Sequence, residues 1–302
     1  TSLKQIVGFP VNPVNGNMWL KQTDYPLLGA GETINITRTY NSLNQYSGLF
    51  GTGWTSAYDE LLLNPSADFV QLRLPGGQGV LFDQIDGNRY MPATVDFYAS
   101  LFKEADNSFT LSFKDGRIHK FNSTGRLLSV RDRANNQTTL GYDATGKLTS
   151  ITDAFGRALS VVQNSNGTVA QISDSLGTIA DYEYYSSTTR LKTVAYPDGS
   201  KYKFEYTTVG GKVYLTVVKD ALDDVLEAHE YDAEGRATTS EKQGGVEKYT
   251  LDYSHWNATV PYTVVTDARG QNLNDYFDFS RGRSVIVITE GIRSSGGSGC
   301  QD

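Results

Sequence analysis

A step of 21 residues recurs through the middle of the chain and constrains its fold more than any other feature. The residues that keep this step are Asp132, Asp153 and Asp174 and, in a second series, Gly125, Gly146 and Gly167. A fixed step indicates one supersecondary unit stacked several times, because each copy buries its apolar side against the next. The period therefore predicts a repeat architecture rather than a thick globular core.

Each copy of the repeat contains two Asp-x-x-Gly sequences, such as residues 143–146 and 153–156. Glycine accepts a positive φ and aspartate hydrogen-bonds the backbone two residues on, so both sequences favour tight turns. The five or six residues between the turns are rich in Thr, Val, Ile, Leu and Tyr, which is typical of strands. One copy is thus predicted to be two short strands and two turns, and the chain to be all-β.

One local feature predicts a departure from a regular strand. Leu148 and Ile151 are three residues apart within one predicted strand, as are Leu127 and Val130. An unbroken pleat points residues three apart to opposite faces of the sheet. We therefore expect a β-bulge between the members of each pair, or one member that faces solvent.

Tyrosine–aspartate pairs open two of the turns and are similar to the signature of the RHS/YD-repeat proteins, a family of bacterial polymorphic toxin shells. Residues 142–148 and 231–236 carry this resemblance, and residues 121–127 are a looser copy. The residues of the repeat signature are Tyr142, Asp143, Gly146, Asp153, Gly156, Tyr231, Asp232 and Gly235.

The N-terminal part resembles the segment that opens such repeat arrays, through residues 12–17, 38–42 and 50–54. Its signature residues are Pro13, Gly16, Arg38, Tyr40, Gly51, Gly53 and Trp54. The likeness covers most of residues 5–290. It implies tandem β-hairpins forming a long curved antiparallel sheet, part of a spiralling hollow shell that commonly encloses a C-terminal toxin.

Three segments are predicted along the chain. Residues 1–90 form a β-rich domain that opens or caps the array, residues 91–290 form the repeat sheet, and residues 291–302 are a flexible Gly/Ser tail. A partial array leaves edge strands open, so we expect that these edges can self-associate.

Composition narrows the choice of partners. The net charge of −7 argues against nucleic acid as a partner. Cys300 is the only cysteine, which excludes a disulfide within the chain. The longest apolar run, residues 285–288, is far below the roughly 20 residues that span a bilayer, so we expect no membrane partner. No signal peptide begins at Thr1, and the resemblance implies a bacterial protein that is secreted or lies at the cell surface.

Candidate catalytic residues are few. His119, His229 and His255 have no metal-ligand spacing, and no cofactor motif is present, so we expect no metal, no cofactor and no enzyme. A pair of carboxylates distant in the sequence stays open as an acid–base site.

The functional hypothesis is a structural shell segment that encapsulates or shields a polypeptide. Its expected partners are the rest of a longer chain or a C-terminal toxin. The alternative is an adhesion module that binds glycan or protein through exposed aromatic residues, with Trp19, Trp54 and Trp256 as contacts. A stripe of tyrosines at repeat spacing fits either a ligand-binding face or, as we favour, stacking between neighbouring strands. Its members are Tyr142, Tyr184, Tyr206, Tyr231 and Tyr253.

Overall fold

The computed structural model describes residues 11–26, 34–65, 68–278 and 285–292. The chain divides into two compact units, a first unit of Lys21–Lys201 and a second unit that combines Thr1–Leu20 with Tyr202–Asp302. Both units are built from antiparallel strands, which confirms the all-β prediction and the tandem hairpins.

The first unit contains a small N-terminal group of strands followed by a long hairpin series. Its strands are β1 (Trp19–Pro26), β2 (Asn35–Asn41), β3 (Ser47–Gly48), β4 (Gly51–Thr52), β5 (Trp54–Thr55), β6 (Leu61–Leu63), β7 (Phe69–Arg73), β8 (Gly79–Asp86), β9 (Arg89–Pro92), β10 (Ala99–Lys103), β11 (Phe109–Phe113), β12 (Ile118–Phe121), β13 (Leu127–Arg131), β14 (Gln137–Tyr142), β15 (Leu148–Thr152), β16 (Ala158–Gln163), β17 (Val169–Asp174), β18 (Gly177–Tyr184) and β19 (Leu191–Ala195). Strands β1, β2 and β5 form one small sheet, and β3 pairs with β4. From β6 to β19 each strand pairs antiparallel with the next, so this part is one uninterrupted ladder.

The second unit repeats the same pattern of hairpins. Its strands are β20 (Lys201–Val209), β21 (Lys212–Lys219), β22 (Val225–Tyr231), β23 (Ala237–Lys242), β24 (Val246–Asp252), β25 (Tyr262–Thr266), β26 (Asn272–Asp278) and β27 (Val285–Ile292). From β20 to β27 each strand pairs antiparallel with the next.

The predicted bulge is confirmed and recurs along the array. In the β14–β15 pair, Tyr142 lies opposite Leu148 and Gly141 lies opposite Ser150, so Thr149 is an extra residue. This insertion lets Leu148 and Ile151 both face the interior, where each is buried. Between β12 and β24, five further strands carry the extra residue at the corresponding position, so that the series reads Leu128, Thr149, Ala170, Lys192, Thr216 and Thr238. The first three keep the 21-residue step.

The division of the chain into three segments stays a prediction. The expected division at residue 90 falls inside β9, which pairs with β8 on one side and β10 on the other. The ladder therefore continues through that point without a break. At the other end, β27 extends to Ile292, and the remainder of the expected tail lies outside the described residues.

Helical structure in the described ranges is limited to two 3₁₀ turns, Ala57–Asp59 and Gln243–Gly245. Within those ranges no helix has the length and apolar character required to cross a membrane. A short turn at residues 221–224 leads into β22.

Candidate functional site

The Asp-x-x-Gly turn is held by its aspartate. The Asp143 carboxylate accepts hydrogen bonds from the backbone N–H groups of Thr145 (2.8 Å) and Lys147 (2.9 Å) and from the Thr145 hydroxyl (2.7 Å). These bonds, first of all the one from the Lys147 N–H, lower the pKa of Asp143. Gly146 closes the turn at a φ of +80°, which explains why glycine occupies that position.

The same carboxylate geometry recurs at the other signature positions. Asp153 accepts from the backbone N–H groups of Phe155 and Arg157, both at 2.9 Å, and pairs with the Arg157 guanidinium. Asp232 accepts from the backbone N–H of Arg236 at 2.8 Å and from its Nε at 2.7 Å. The carboxylate oxygens of the signature aspartates therefore accept hydrogen bonds that stabilise their own turns.

In four hairpins a tyrosine of the stripe ties the hairpin to the preceding one. Its hydroxyl donates to the backbone carbonyl of the residue that stands just before the extra bulge residue, 15 or 16 positions upstream. The four such pairs are Tyr142 to Leu127 (2.7 Å), Tyr184 to Val169 (2.9 Å), Tyr231 to Leu215 (2.8 Å) and Tyr253 to Ala237 (2.7 Å). A bulge disrupts the ladder locally, and the tyrosine supplies a donor there. We call this contact the tyrosine clamp.

Burial keeps the hydroxyls of three clamp tyrosines protonated. It raises the pKa of Tyr142 to about 12, and it also raises the pKa of Tyr184 and of Tyr253. These tyrosines therefore remain hydrogen-bond donors throughout the physiological pH range. Their rings and hydroxyls serve contacts between hairpins rather than an open ligand-binding face.

Replacing Tyr142 by Phe is expected to lower the free energy of unfolding by about 0.5–1.5 kcal/mol, because it removes one buried hydrogen bond at constant ring volume. Urea unfolding followed by far-UV circular dichroism measures the loss. Tyr98→Phe is the matched control, since the Tyr98 side chain is 63% exposed. Equal stability of the two variants would contradict the clamp.

The N-terminal signature lies on the turn ends of the repeat hairpins in the first unit. The backbone N–H of Thr52 donates to Thr189 O at 3.0 Å, and Leu49 O accepts from the Val169 N–H at 2.7 Å. A Cβ on Gly51 would overlap the Thr189 carbonyl oxygen, so only glycine permits this approach. The N-terminal segment is thus laid backbone to backbone on the turns.

The first strand of the ladder, β6, makes a similar backbone contact with a repeat turn. The Leu62 N–H in β6 donates to Gly125 O at 2.8 Å, and a Cβ on Gly125 would overlap the Leu62 carbonyl oxygen. Gly125 belongs to the turn between β12 and β13. The first strand of the ladder therefore bonds to a repeat turn.

In the second unit, Pro13 and Gly16 make the corresponding contacts. Gly16 O accepts from the Ala237 N–H at 2.9 Å, and a Cβ on Gly16 would overlap the Arg236 side chain. Pro13 O accepts from the Thr263 hydroxyl at 2.8 Å. Val14 O accepts from the indole Nε1 of Trp256 at 2.7 Å.

Arg38 is the centre of a buried polar cluster in the first unit. Its side chain and that of Asp24 are both fully buried, and they form a two-pronged ion pair with Nε–Oδ2 and Nη2–Oδ1 distances of 2.6 and 2.8 Å. Tyr182 and Tyr196 donate their hydroxyls to the same carboxylate, at 2.8 and 2.5 Å. Burial works against the charge of Arg38, but Asp24 outweighs it and holds the pKa of Arg38 above its usual value.

Aromatic rings enclose this cluster. The Arg38 guanidinium lies 5.1 Å from the Trp54 ring centroid, and Trp54 packs against Tyr40 at 5.3 Å. A Cβ on Gly53 would come within 2.6 Å of the Tyr40 ring, so glycine is needed beside Trp54. The sequence singles out these signature residues, but their partner Asp24 and the two tyrosines become evident only in the fold.

The three candidate ligand-contact tryptophans have different environments. Trp54 is 0% exposed and is therefore not available at the surface. The indole N–H of Trp256 donates a hydrogen bond to the Val14 carbonyl. Trp19 is 38% exposed.

No group of three or more His, Cys, Asp or Glu side chains is positioned to hold a metal ion in the part of the chain that the structure describes. The structure brings His119 against Glu60, a pair 59 residues apart in sequence. Sequence reasoning missed this pair because neither residue lies in a recognisable motif.

Two regions of the chain match known protein families. A domain of unknown function (DUF6531) matches residues 8–82, which contain the N-terminal signature. The RHS repeat matches residues 121–158, which contain the first tandem copies of the turn and bulge. The chain therefore contains an RHS repeat at residues 121–158.

Curated relatives of the chain include the tRNA nuclease WapA of Bacillus subtilis (strain 168) and the tRNA3(Ser)-specific nuclease WapA of Bacillus spizizenii. Each is 29% identical over 143 residues, which is 47% of this chain and 6% of the relative. The chain thus spans a small fraction of these proteins.

Solved structures similar to the chain include TcdB2-TccC3 without its hypervariable C-terminal region. The TM-score is 0.40 at 13% identity, over 85% of this chain and 16% of that one. A second structure, TcdB2-TccC3 with Cdc42, has a TM-score of 0.36 at 14% identity, over 71% of this chain and 14% of that one.

Proposed function

We propose that this RHS-repeat chain is a wall segment of a container that shields a polypeptide cargo until delivery. The observation that carries the proposal is the uninterrupted ladder from β6 to β19, in which tyrosine clamps tie hairpins together and the N-terminal segment lies on their turns. In such a ladder the backbone N–H and C=O groups of neighbouring strands are hydrogen-bonded to each other. No long unpaired strand edge is therefore left between repeats.

The segment itself carries no catalytic role in this proposal. The carboxylates of the signature turns bond to their own backbone, and the clamp hydroxyls bond to backbone carbonyls. WapA proteins are named as nucleases, and the matched region is 6% of their length. We propose that any toxic activity associated with this chain resides in the cargo rather than in the repeats.

The partners in this proposal are the rest of a longer chain or a C-terminal toxin, in a bacterial protein that is secreted or displayed at the cell surface. Acidic net charge and the absence of a basic motif are consistent with a polypeptide rather than a nucleic acid as cargo. The adhesion alternative loses one of its three proposed contacts because Trp54 is buried.

Limited proteolysis of the full-length protein encoded by the reading frame tests the proposal. We expect the C-terminal segment to resist a non-specific protease in the wild type and to be cleaved rapidly in Gly51→Val, which disrupts the docking on Thr189. Gly167→Ala is the control, since no atom lies within 4 Å of its Cβ position. Equally rapid cleavage of the C-terminal segment in the wild type would refute a shielding role.

A further inference from the structure

A groove of about 520 Å³ lies on the sheet of the first unit, where β9, β10 and β11 run side by side. This volume is within the range of small-molecule sites, which are about 300–1,000 Å³. Its lining includes Met91, Val95 and Tyr98. Val95 and Tyr98 are 86% and 63% exposed, so the groove opens to solvent.

The groove forms because two small side chains face each other across β10 and β11. Ser100 lies directly opposite Ser112, and the Ser100 hydroxyl lies 3.4 Å from Met91 Sδ on the next strand. Two residues along on the same face, the Lys114 N–H donates to the Tyr98 carbonyl at 3.1 Å. The serines therefore form a depression beside the longer side chains of Tyr98 and Lys114.

Tyr98 supplies an aromatic ring at the wall of this groove. The Lys114 ammonium lies 5.3 Å from the centroid of that ring, which is close enough for a cation–π contact. Phe97 and Phe113, whose ring centroids are 5.8 Å apart, also line the groove. These rings provide flat apolar surface for the C–H groups of a ligand.

Hydrogen-bonding groups share the lining with these apolar side chains. The residues that carry them are Thr94, Tyr98, Ser100, Ser112 and Lys114. Hydroxyls both donate and accept hydrogen bonds, and an ammonium donates up to three. A purely apolar ligand would bury these groups without partners, which is unfavourable. None of the described residues that line the groove carries a carboxylate, so an acidic ligand meets no like charge in the lining.

We propose that this groove binds a carbohydrate, because a sugar ring combines apolar C–H faces with a rim of hydroxyl groups. The ring packs against Tyr98 and Val95, and its hydroxyls bond to Ser100, Ser112 and Lys114. The charge of Lys114 favours a uronic acid over a neutral sugar, since an ammonium donates stronger hydrogen bonds to a carboxylate than to a hydroxyl. The proposal is independent of the container role, because the site lies within three strands of the first unit.

A glycan array that displays neutral and uronic-acid-containing oligosaccharides tests the site. We expect binding to acidic glycans and weaker binding to neutral ones. Calorimetric titration then compares the best-bound glycan with its neutral counterpart, in which a CH₂OH group replaces the carboxylate. We expect a preference of about threefold for the acid, as for an ion pair open to solvent. Absence of binding to every glycan, or equal or tighter binding of the neutral counterpart, would overturn the proposal.

Tyr98→Ala and Lys114→Met show whether the binding occurs in this groove. Tyr98→Ala is expected to weaken binding about threefold to tenfold through the lost ring contact, with circular dichroism as the check on folding. Lys114→Met keeps an apolar stem and is expected to remove the preference for the acid. Phe155→Ala is the matched control, because Phe155 is 60% exposed and lies on the turn between β15 and β16, outside the groove. Unchanged binding in both groove variants, or an equal loss in Phe155→Ala, would contradict the assigned site.

Discussion

Asp24→Asn is expected to lower the free energy of unfolding by about 3–5 kcal/mol, because it leaves the Arg38 guanidinium buried without its counter-charge. The change preserves side-chain volume, so the loss reports the charge and its hydrogen bonds rather than a cavity. Two tyrosine hydroxyls also lose their charged acceptor, since Tyr182 and Tyr196 both donate to Asp24. Guanidinium unfolding of the two proteins gives the difference.

An exposed ion pair supplies the control for this prediction. Asp115 pairs with Arg117, and their side chains are 56% and 43% exposed. Asp115→Asn is expected to leave the free energy of unfolding nearly unchanged, because solvent screens such pairs. In the double variant Asp24→Asn with Arg38→Met, part of the stability should return, since the uncompensated charge is gone. Similar losses for Asp24→Asn and Asp115→Asn would contradict the assigned importance of the buried cluster.

Gly125→Ala is expected to be markedly more destabilising than Gly167→Ala, although both glycines occupy the same position of the repeat turn. Their φ angles are +85° and +86°, so the backbone strain of about 1–2 kcal/mol is common to both variants. Only at Gly125 would the new Cβ overlap the Leu62 carbonyl, which adds about 1–3 kcal/mol of overpacking.

Thermal or urea unfolding of the two alanine variants separates these contributions. The difference between them measures the approach of β6 to the turn, because nothing lies within 4 Å of the Gly167 Cβ position. If the two variants unfold at the same denaturant concentration, Leu62 does not lie against the turn as described.

The hairpins and bulges could be predicted from sequence because they are local. Aspartate, glycine and the spacing of Leu148 and Ile151 act within a few residues, and the structure places the turns and the extra residue Thr149 where the pattern indicates. The carbonyl that accepts the tyrosine hydrogen bond lies farther away in the sequence, but at a nearly constant distance from each tyrosine. A regular search about 15 residues upstream of each signature tyrosine would have found the bulge carbonyl at Leu127.

The contacts between distant segments could not be predicted. The glycine at position 51 indicates that another group approaches the backbone closely there. The sequence does not show that this group is Thr189 O. The pairing of His119 with Glu60 joins residues 59 apart that share no motif. Likewise, the adhesion alternative named Trp54 as a ligand contact. In the structure the Trp54 ring is buried and packs against the Arg38 guanidinium.

A disulfide cross-link tests most directly whether the N-terminal segment lies on the turns of the repeat sheet. The hydroxyls of Thr52 and Thr189 are 2.7 Å apart although the residues are 137 positions apart in sequence. With Cys300 replaced by Ser, the double variant Thr52→Cys, Thr189→Cys should form an intramolecular disulfide under mild oxidation. It should then migrate faster than either single variant on a non-reducing gel. Free thiols at both positions, or cross-linked dimers alone, would contradict the docking of the N-terminal segment on the repeats.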